Sequence, residues 1–228
     1  MNRHRLVALL LIALSGCASP SEVTESTPVT LVVMNLVRDR STVLVSGDVD
    51  PDSLRYGEAK RLIDRRGTGF GPAPRGIIVT TSAGISIEGI SFNRVGQSVL
   101  LFGSSSQPAF AFAGDTAGPR ADVANIRLAL LAPDAPLVKG FVLPADVSLA
   151  VAQPWISTQS PYQAPSITTF FRGPPQAYRV YFTRYAPASA EPLLAATDAF
   201  TVAAGEVVTV MLDRQGADYV AAAIREPR

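Results

Sequence analysis

Two residue types that carry much of side-chain chemistry are nearly missing from this chain. Among 228 residues there is one histidine, His4, and one cysteine, Cys17. A lone cysteine excludes any intramolecular disulfide. Lysine is scarce as well: only Lys60 and Lys139 occur. Charge of either sign gives no excess, with 20 Lys+Arg against 19 Asp+Glu, so the basic patch of a nucleic-acid-binding protein is not implied. No stretch of twelve or more residues carries a convincing helical stripe; residues 54–66 hold a short helix at best. What the chain has in quantity is turn formers, 18 prolines and 17 glycines with only 17% charged residues. That composition suits short strands joined by many turns. About 200 residues suffice for one large core or two small ones.

The N-terminus reads as an export signal. Arg3 and Arg5 form a short positive region, and Leu6 to Leu14 follow as nine unbroken apolar residues. Nine is far short of the ~20 needed to span a bilayer and fits the apolar stretch of a signal peptide. The run ends in Leu14-Ser15-Gly16-Cys17, which resembles the bacterial lipobox. The resemblance implies cleavage between Gly16 and Cys17 and a lipid chain on the Cys17 thiol, and acylation gives the lone cysteine of an exported protein a reason to exist. Ala18 and Ser19 lack the Asp that marks inner-membrane retention in many Gram-negative lipoproteins, so the expected address is the bacterial cell envelope, lipid-anchored at the outer membrane. Removing residues 1–16 takes away Arg3, Arg5 and His4. The remaining chain has 18 basic residues, 16 of them arginine, against 19 acidic ones, and no histidine. That excludes Ser-His-Asp and Cys-His nucleophilic sites, histidine-ligated zinc or haem and a histidine pH switch.

Residues 18–28 are small and polar and read as a flexible tether. From residue 29 the texture becomes that of strands. Residues 29–37, 41–46, 75–81, 85–90, 98–102 and 108–113 have strand character in the first half. Residues 124–131, 137–143, 168–171, 178–185 and 207–212 have it in the second. Residues 114–119 look like a boundary. The halves align: Leu31 to Val43 sit on Ile126 to Val138 without a gap, placing Asp39 over Asp134. Phe92, Gly96 and Val99 match Phe200, Gly205 and Val208 with one inserted residue. The expected fold is all-β: two tandem immunoglobulin-like antiparallel β-sandwich modules, 29–115 and 120–217. They follow a signal peptide (1–16) and a lipidated tether (17–28), with 218–228 as a C-terminal tail.

Ile126-Arg127-Leu128-Ala129-Leu130-Leu131-Ala132-Pro133-Asp134-Ala135-Pro136 resembles the opening signature of domain-of-unknown-function family 4397, a strand running into an Ala-Ser-Pro-Asp-Ala-Pro type turn. Residues 200–210 are similar to that family's closing hairpin. The likeness is good over about 120–215 and weak over 29–115, where Val37-Arg38-Asp39-Arg40 replaces the proline turn. It implies exported, often lipidated β-sandwich modules and transfers no catalytic residue.

Candidate chemistry is sparse. Asp48, Asp50 and Asp52 alternate as in a calcium loop, but position 6 is Ser53 rather than Gly and position 12 is Ala59 rather than Glu. A Pro-set polar turn accounts for them, and no metal or cofactor is implied. Lys60-Arg61 and Arg65-Arg66 around Asp64 could meet lipid headgroups or an acidic polymer, but in a chain so near neutral a solvated loop explains them better. Gly67, Gly69 and Gly71 lack dinucleotide-fingerprint spacing. Aromatics gather in the second half: Trp155, Tyr162, Phe170, Phe171, Tyr178, Tyr181, Phe182 and Tyr185. Alternation along a strand puts Tyr178, Val180, Phe182 and Arg184 on one face and Arg179, Tyr181, Thr183 and Tyr185 on the other. Arg179, Tyr181 and Tyr185, with Trp155, are the candidate binding face; sandwich core explains most of the rest. Paired carboxylates could run glycoside hydrolysis, yet no pair is marked by its surroundings. The sequence therefore reads as a non-catalytic envelope lipoprotein. Its partners would be the membrane, through Cys17, and an envelope protein or polysaccharide. The alternative is a carboxylate hydrolase of cell-envelope glycans. Cys17→Ser is expected to abolish palmitate labelling and to leave unprocessed precursor; normal labelling of that variant would exclude lipidation at Cys17.

Overall fold

The structure is a computed structural model that describes residues 30–63, 75–92, 97–113, 118–132, 135–157, 166–168, 170–185 and 192–227. The first half contributes β1 (Thr30–Asn35), β2 (Val43–Gly47), β3 (Asp52–Leu54), β4 (Ala59–Ile63), β5 (Arg75–Thr81), β6 (Ser86–Phe92), β7 (Gln97–Ser104) and β8 (Gln107–Ala113). The second contributes β9 (Ala124–Leu130), β10 (Val138–Pro144), β11 (Ile156–Ser157), β12 (Ser166–Ile167) and β13 (Phe171–Gly173). It continues with β14 (Gln176–Arg184), β15 (Leu193–Ala196), β16 (Phe200–Val202), β17 (Val207–Gln215) and β18 (Asp218–Arg225). The only helical element among the described residues is a 3-10 turn, Leu149–Val151. The fold is all-β, as the patterning predicts.

Each half forms a two-sheet sandwich. The first pairs an outer sheet, β3-β2-β5-β6, with an inner sheet, β4-β1-β7-β8. The second repeats the plan. Its outer sheet is β11-β10-β14, with β15 and β16 both along the far edge of β14; its inner sheet is β9-β17-β18, with β12 and β13 both along β9. Pairing is antiparallel except for one parallel pair per sandwich, β1 with β7 and β9 with β17.

The hydrogen bonds place the duplication residue by residue. Leu36 N donates to Leu101 O, and Leu131 N to Leu212 O, each at 2.8 Å; Arg40 N donates to Val37 O as Ala135 N does to Ala132 O. The opening alignment, Leu31 on Ile126, therefore holds; Asp134 itself lies outside the described residues. The closing alignment is corrected. Val33 pairs with Val99 and its counterpart Leu128 pairs with Val210, so Val99 falls on Val210, not on Val208. A shift of two residues keeps every side chain on the same face, which is why hydropathy alone does not detect it.

The two inner sheets face each other. Leu31, Val33, Val99 and Leu101 point into the first core, and Ile126, Leu128, Val210 and Leu212 into the second. The alternate residues point the other way, into a third core. Val32, Met34, Leu36, Leu100 and Phe102 meet Ala129, Leu131, Met211 and Ile224 there. The order of layers is outer, inner, inner, outer. Strands covered on both faces read as near-continuous apolar runs; β9 is buried along its whole length, its polar Asn125 and Arg127 held by hydrogen bonds. In the outer strand β2, buried Val43 and Val45 alternate with exposed Leu44 and half-buried Ser46.

Polar groups close this seam at both ends. Arg38 of the first half donates from Nε to Asp213 Oδ1 at 2.9 Å. At the other end Arg127 pairs with Glu226. Arg127 Nε donates to Thr209 Oγ1 at 2.8 Å, Thr209 Oγ1 donates to Glu226 Oε1 at 2.9 Å, and Ser98 Oγ of the first half donates to Glu226 Oε2 at 3.1 Å. Arg61 Nη2 also reaches Pro227 O at 2.8 Å.

Two segment readings are overturned. Residues 218–225 are not a tail: β18 pairs along β17 from Gln215↔Asp218 to Val208↔Arg225 and buries Ile224. Its small alanines, Ala221 to Ala223, give too weak an apolar signal to mark a strand. Residues 54–66 are not helical where described. They complete β3, turn, and run as β4 against β1. Asn35 fixes that turn, donating from Nδ2 to Leu54 O at 2.9 Å and accepting at its carbonyl from Gly57 N at 2.8 Å. The strand read at residues 168–171 is two short ones, β12 and β13, on either side of it.

Glu226→Ala should destabilise the protein by about 3–5 kcal/mol, because it strands the buried Arg127 guanidinium without its partner. Urea unfolding at neutral pH measures this; a loss below ~1 kcal/mol would show that the network contributes little.

Candidate functional site

The face marked by sequence lies on the second outer sheet. Tyr178, Val180 and Phe182 of β14 are fully buried in the second core, as alternation predicts. Arg179 and Tyr181 point to the opposite side, across from Leu143 and Phe141 of β10. Tyr185 joins them: its N donates to Leu137 O at 2.7 Å, and the Lys139 ammonium stands 4.8 Å from its ring centroid. The structure thus brings Arg179, Tyr181 and Tyr185 onto one side of one sheet. They form a shelf rather than an open platform. All three are half-buried, and their neighbours Phe141 and Leu143 are only 6% and 7% exposed. The Nε of Arg179 is buried and makes no hydrogen bond among the described residues. A buried donor without a partner is uncommon in a native fold.

One residue of β14 is placed differently from expectation. Arg184 was assigned to the core side with Tyr178 but is exposed. The pairing of β14 with β15 shifts register between Phe182 and Thr183, and the apolar contacts of β14 end at Phe182. Trp155 is 42% exposed, as the candidate face requires, and it heads a chain of rings leading into the core. It stands edge-on to Phe171 at 5.3 Å, and Phe171 edge-on to Tyr178 at 5.8 Å. Gly173 makes room for this chain, because a Cβ there would lie 2.3 Å from the Tyr178 hydroxyl. That hydroxyl donates to Pro174 O at 2.7 Å. Phe170 lies beneath the Arg127 guanidinium at 5.3 Å. Tyr162 is outside the described residues, as are Gly16, Cys17, the glycine-rich 67–71 and the Arg65-Arg66 pair.

The carboxylates are engaged in holding turns and strands. Asp48 Oδ2 accepts from Gly76 N at 2.9 Å, tying the β2–β3 turn to β5. Asp52 accepts from Lys60 Nζ at 2.8 Å and from Ser53 N. Glu206 accepts from Arg225 at 2.7 Å and from Ala203 N at 2.8 Å. Asp122 pairs with Arg120 at 2.7 Å. Asp39 accepts from Ser41 N and, at 2.8 Å, from Ser105 N, joining the β1–β2 turn to the β7–β8 turn. The bonds around Ser105 dominate its surroundings and hold the Asp39 carboxyl down at about 2. A second feature was not legible in the sequence: Arg38 and Arg40 of that turn line one cleft with Arg214, at the end of β17. The available signal was Val37-Arg38-Asp39-Arg40, charged where the other repeat has prolines.

No family model matches this chain, and no curated protein does. Solved structures do match. One is a crystal structure of CBMbc (family CBM26) from Eubacterium rectale Amy13K in complex with maltoheptaose. It is 10% identical, over 86% of this chain and 96% of that one, with a TM-score of 0.29. At that TM-score the likeness carries no argument about this chain.

The depressed Asp39 carboxyl has a sign that can be measured. Its stabilising contribution is complete above the ordinary value of 3.8 and is lost as pH falls through about 2. Asp39→Asn should melt lower than the parent at pH 7, and the difference should close between pH 4 and 2. A difference that persists unchanged at pH 2 would show that the carboxylate charge is not what ties the two turns.

Proposed function

We propose that this protein is a non-catalytic binding lipoprotein of the bacterial envelope, tethered at the outer membrane through Cys17 and residues 17–28. Its recognition surface is the shelf of Arg179, Tyr181 and Tyr185 beside Lys139. The observation that carries this reading is the buried, unbonded Nε of Arg179, a donor set between a half-buried tyrosine and apolar Leu143. Aromatic area beside directed donors is the combination used to hold sugar rings and peptide backbones. The rigid four-layer stack supports it, because side chains on a sheet of a packed scaffold are held in place before a ligand arrives. The partner class we assign is a polysaccharide or an extended segment of an envelope protein. The structural bonds of Asp39, Asp48, Asp52, Asp122, Glu206 and Glu226 give the alternative of a carboxylate hydrolase no support.

The test is a binding screen of the purified protein against immobilised envelope oligosaccharides and peptides, followed by Arg179→Gln and Tyr181→Ala. Each variant should weaken a captured ligand at least tenfold while keeping the parent's circular dichroism. Unchanged affinity in both would remove the shelf from recognition.

A further inference from the structure

A second site lies at the opposite kind of place, where turns of the two modules meet. Arg38, Asp39 and Arg40 of the β1–β2 turn, Ser104 at the end of β7, Arg214 and Gln215 at the end of β17 and Gly216 of the turn after it line a cleft of about 510 Å³. Three arginines line it from two modules. Their carboxylate neighbours are already committed. Asp213 is 2% exposed and accepts from Arg38; Asp39 turns its two oxygens toward the amides of Ser41 and Ser105. Arg40 is also the only non-glycine among the described residues with positive φ, 55°. L-residues adopt that conformation rarely. Its N–H is held to Val37 O at 2.9 Å, its guanidinium stands 5.6 Å over the Tyr56 ring, and its Nη2 is 3.4 Å from Gln215 Oε1 across the module boundary. Arg214 is likewise steadied, 5.8 Å over the Tyr219 ring.

We infer that this junction cleft binds a tetrahedral oxyanion, a phosphate group, held by Arg40 and Arg214 with Arg38 behind them. A planar carboxylate is satisfied by one guanidinium fork. Forks arriving from separate elements suit an anion whose oxygens point in several directions. The phosphate group has two sources to distinguish, a phospholipid headgroup and a free phosphate ester. Because the site spans both modules, an occupied cleft would also bridge them.

Isothermal titration of the full protein in neutral detergent tests this, with inorganic phosphate in one arm and monomeric dihexanoyl phosphatidic acid in the other. Saturable phosphate binding is expected, weakened at least tenfold by Arg40→Gln with Arg214→Gln and less by Arg40→Lys. Arg179→Gln, on the distant shelf, should leave it unchanged, so this result stands or falls separately from the proposed recognition face. Tighter binding of the phosphatidic acid assigns the source to lipid, and equal binding assigns it to free phosphate; either supports the site. Absence of saturable binding in both arms, or equal binding by parent and the double arginine variant, would overturn it.

Discussion

The apolar seam between the two inner sheets is the contact on which the rest of this molecule depends. Val32, Met34, Leu36, Leu100 and Phe102 on one side and Ala129, Leu131, Met211 and Ile224 on the other are side chains that an isolated sandwich would leave in water. Burying large apolar side chains contributes about 1.5–3 kcal/mol each. The seam therefore makes two tandem repeats into one four-layer body. It also fixes where each turn of one module stands against the other, which a flexible linker between independent domains would not do.

The ends of the seam show how charge is tolerated inside it. Arg127 and Glu226 are both almost fully buried, yet Thr209 and Ser98 supply the further bonds that a buried pair requires. The network reaches from the last residues of the chain into the first module, so the C-terminus acts as a clasp. At the other end Arg38 crosses to Asp213, whose carboxyl burial pushes upward despite the guanidinium beside it. One end is closed over a buried ion pair. The other opens into the arginine-lined cleft, which exists only because the β1–β2 and β17–β18 turns are brought together by the seam.

The outer faces carry a different logic. The first outer sheet alternates buried and exposed residues in the usual way, whereas β10 of the second keeps Phe141 and Leu143 at 6% and 7% exposure on the side away from the core. The candidate shelf is thus set in apolar surroundings. There a guanidinium N–H without a partner is worth more to an incoming acceptor than it would be in open water.

Continuous apolar runs at residues 29–37 and 124–131, alternation along β14, and frequent glycine and proline determined from sequence alone that the chain is all-β, duplicated and sandwich-forming. These are local signals, set by which face each side chain must hide. The sequence also placed Tyr178, Val180 and Phe182 in a core and put Arg179 and Tyr181 opposite them. It did not reveal β18 or β4, whose residues are small or charged and become strands because β17 and β1 offer unpaired edges. It did not give the two-residue register of β7 against β17, since a shift of two leaves the hydrophobic pattern intact. Nor did it show that Trp155 stacks edge-on to Phe171, that Arg184 escapes the core, or that Arg40 and Arg214, 174 residues apart in the chain, share a cleft. Those facts depend on non-local pairing, and the only force that selects one pairing over its near equivalents is the packing of the finished stack.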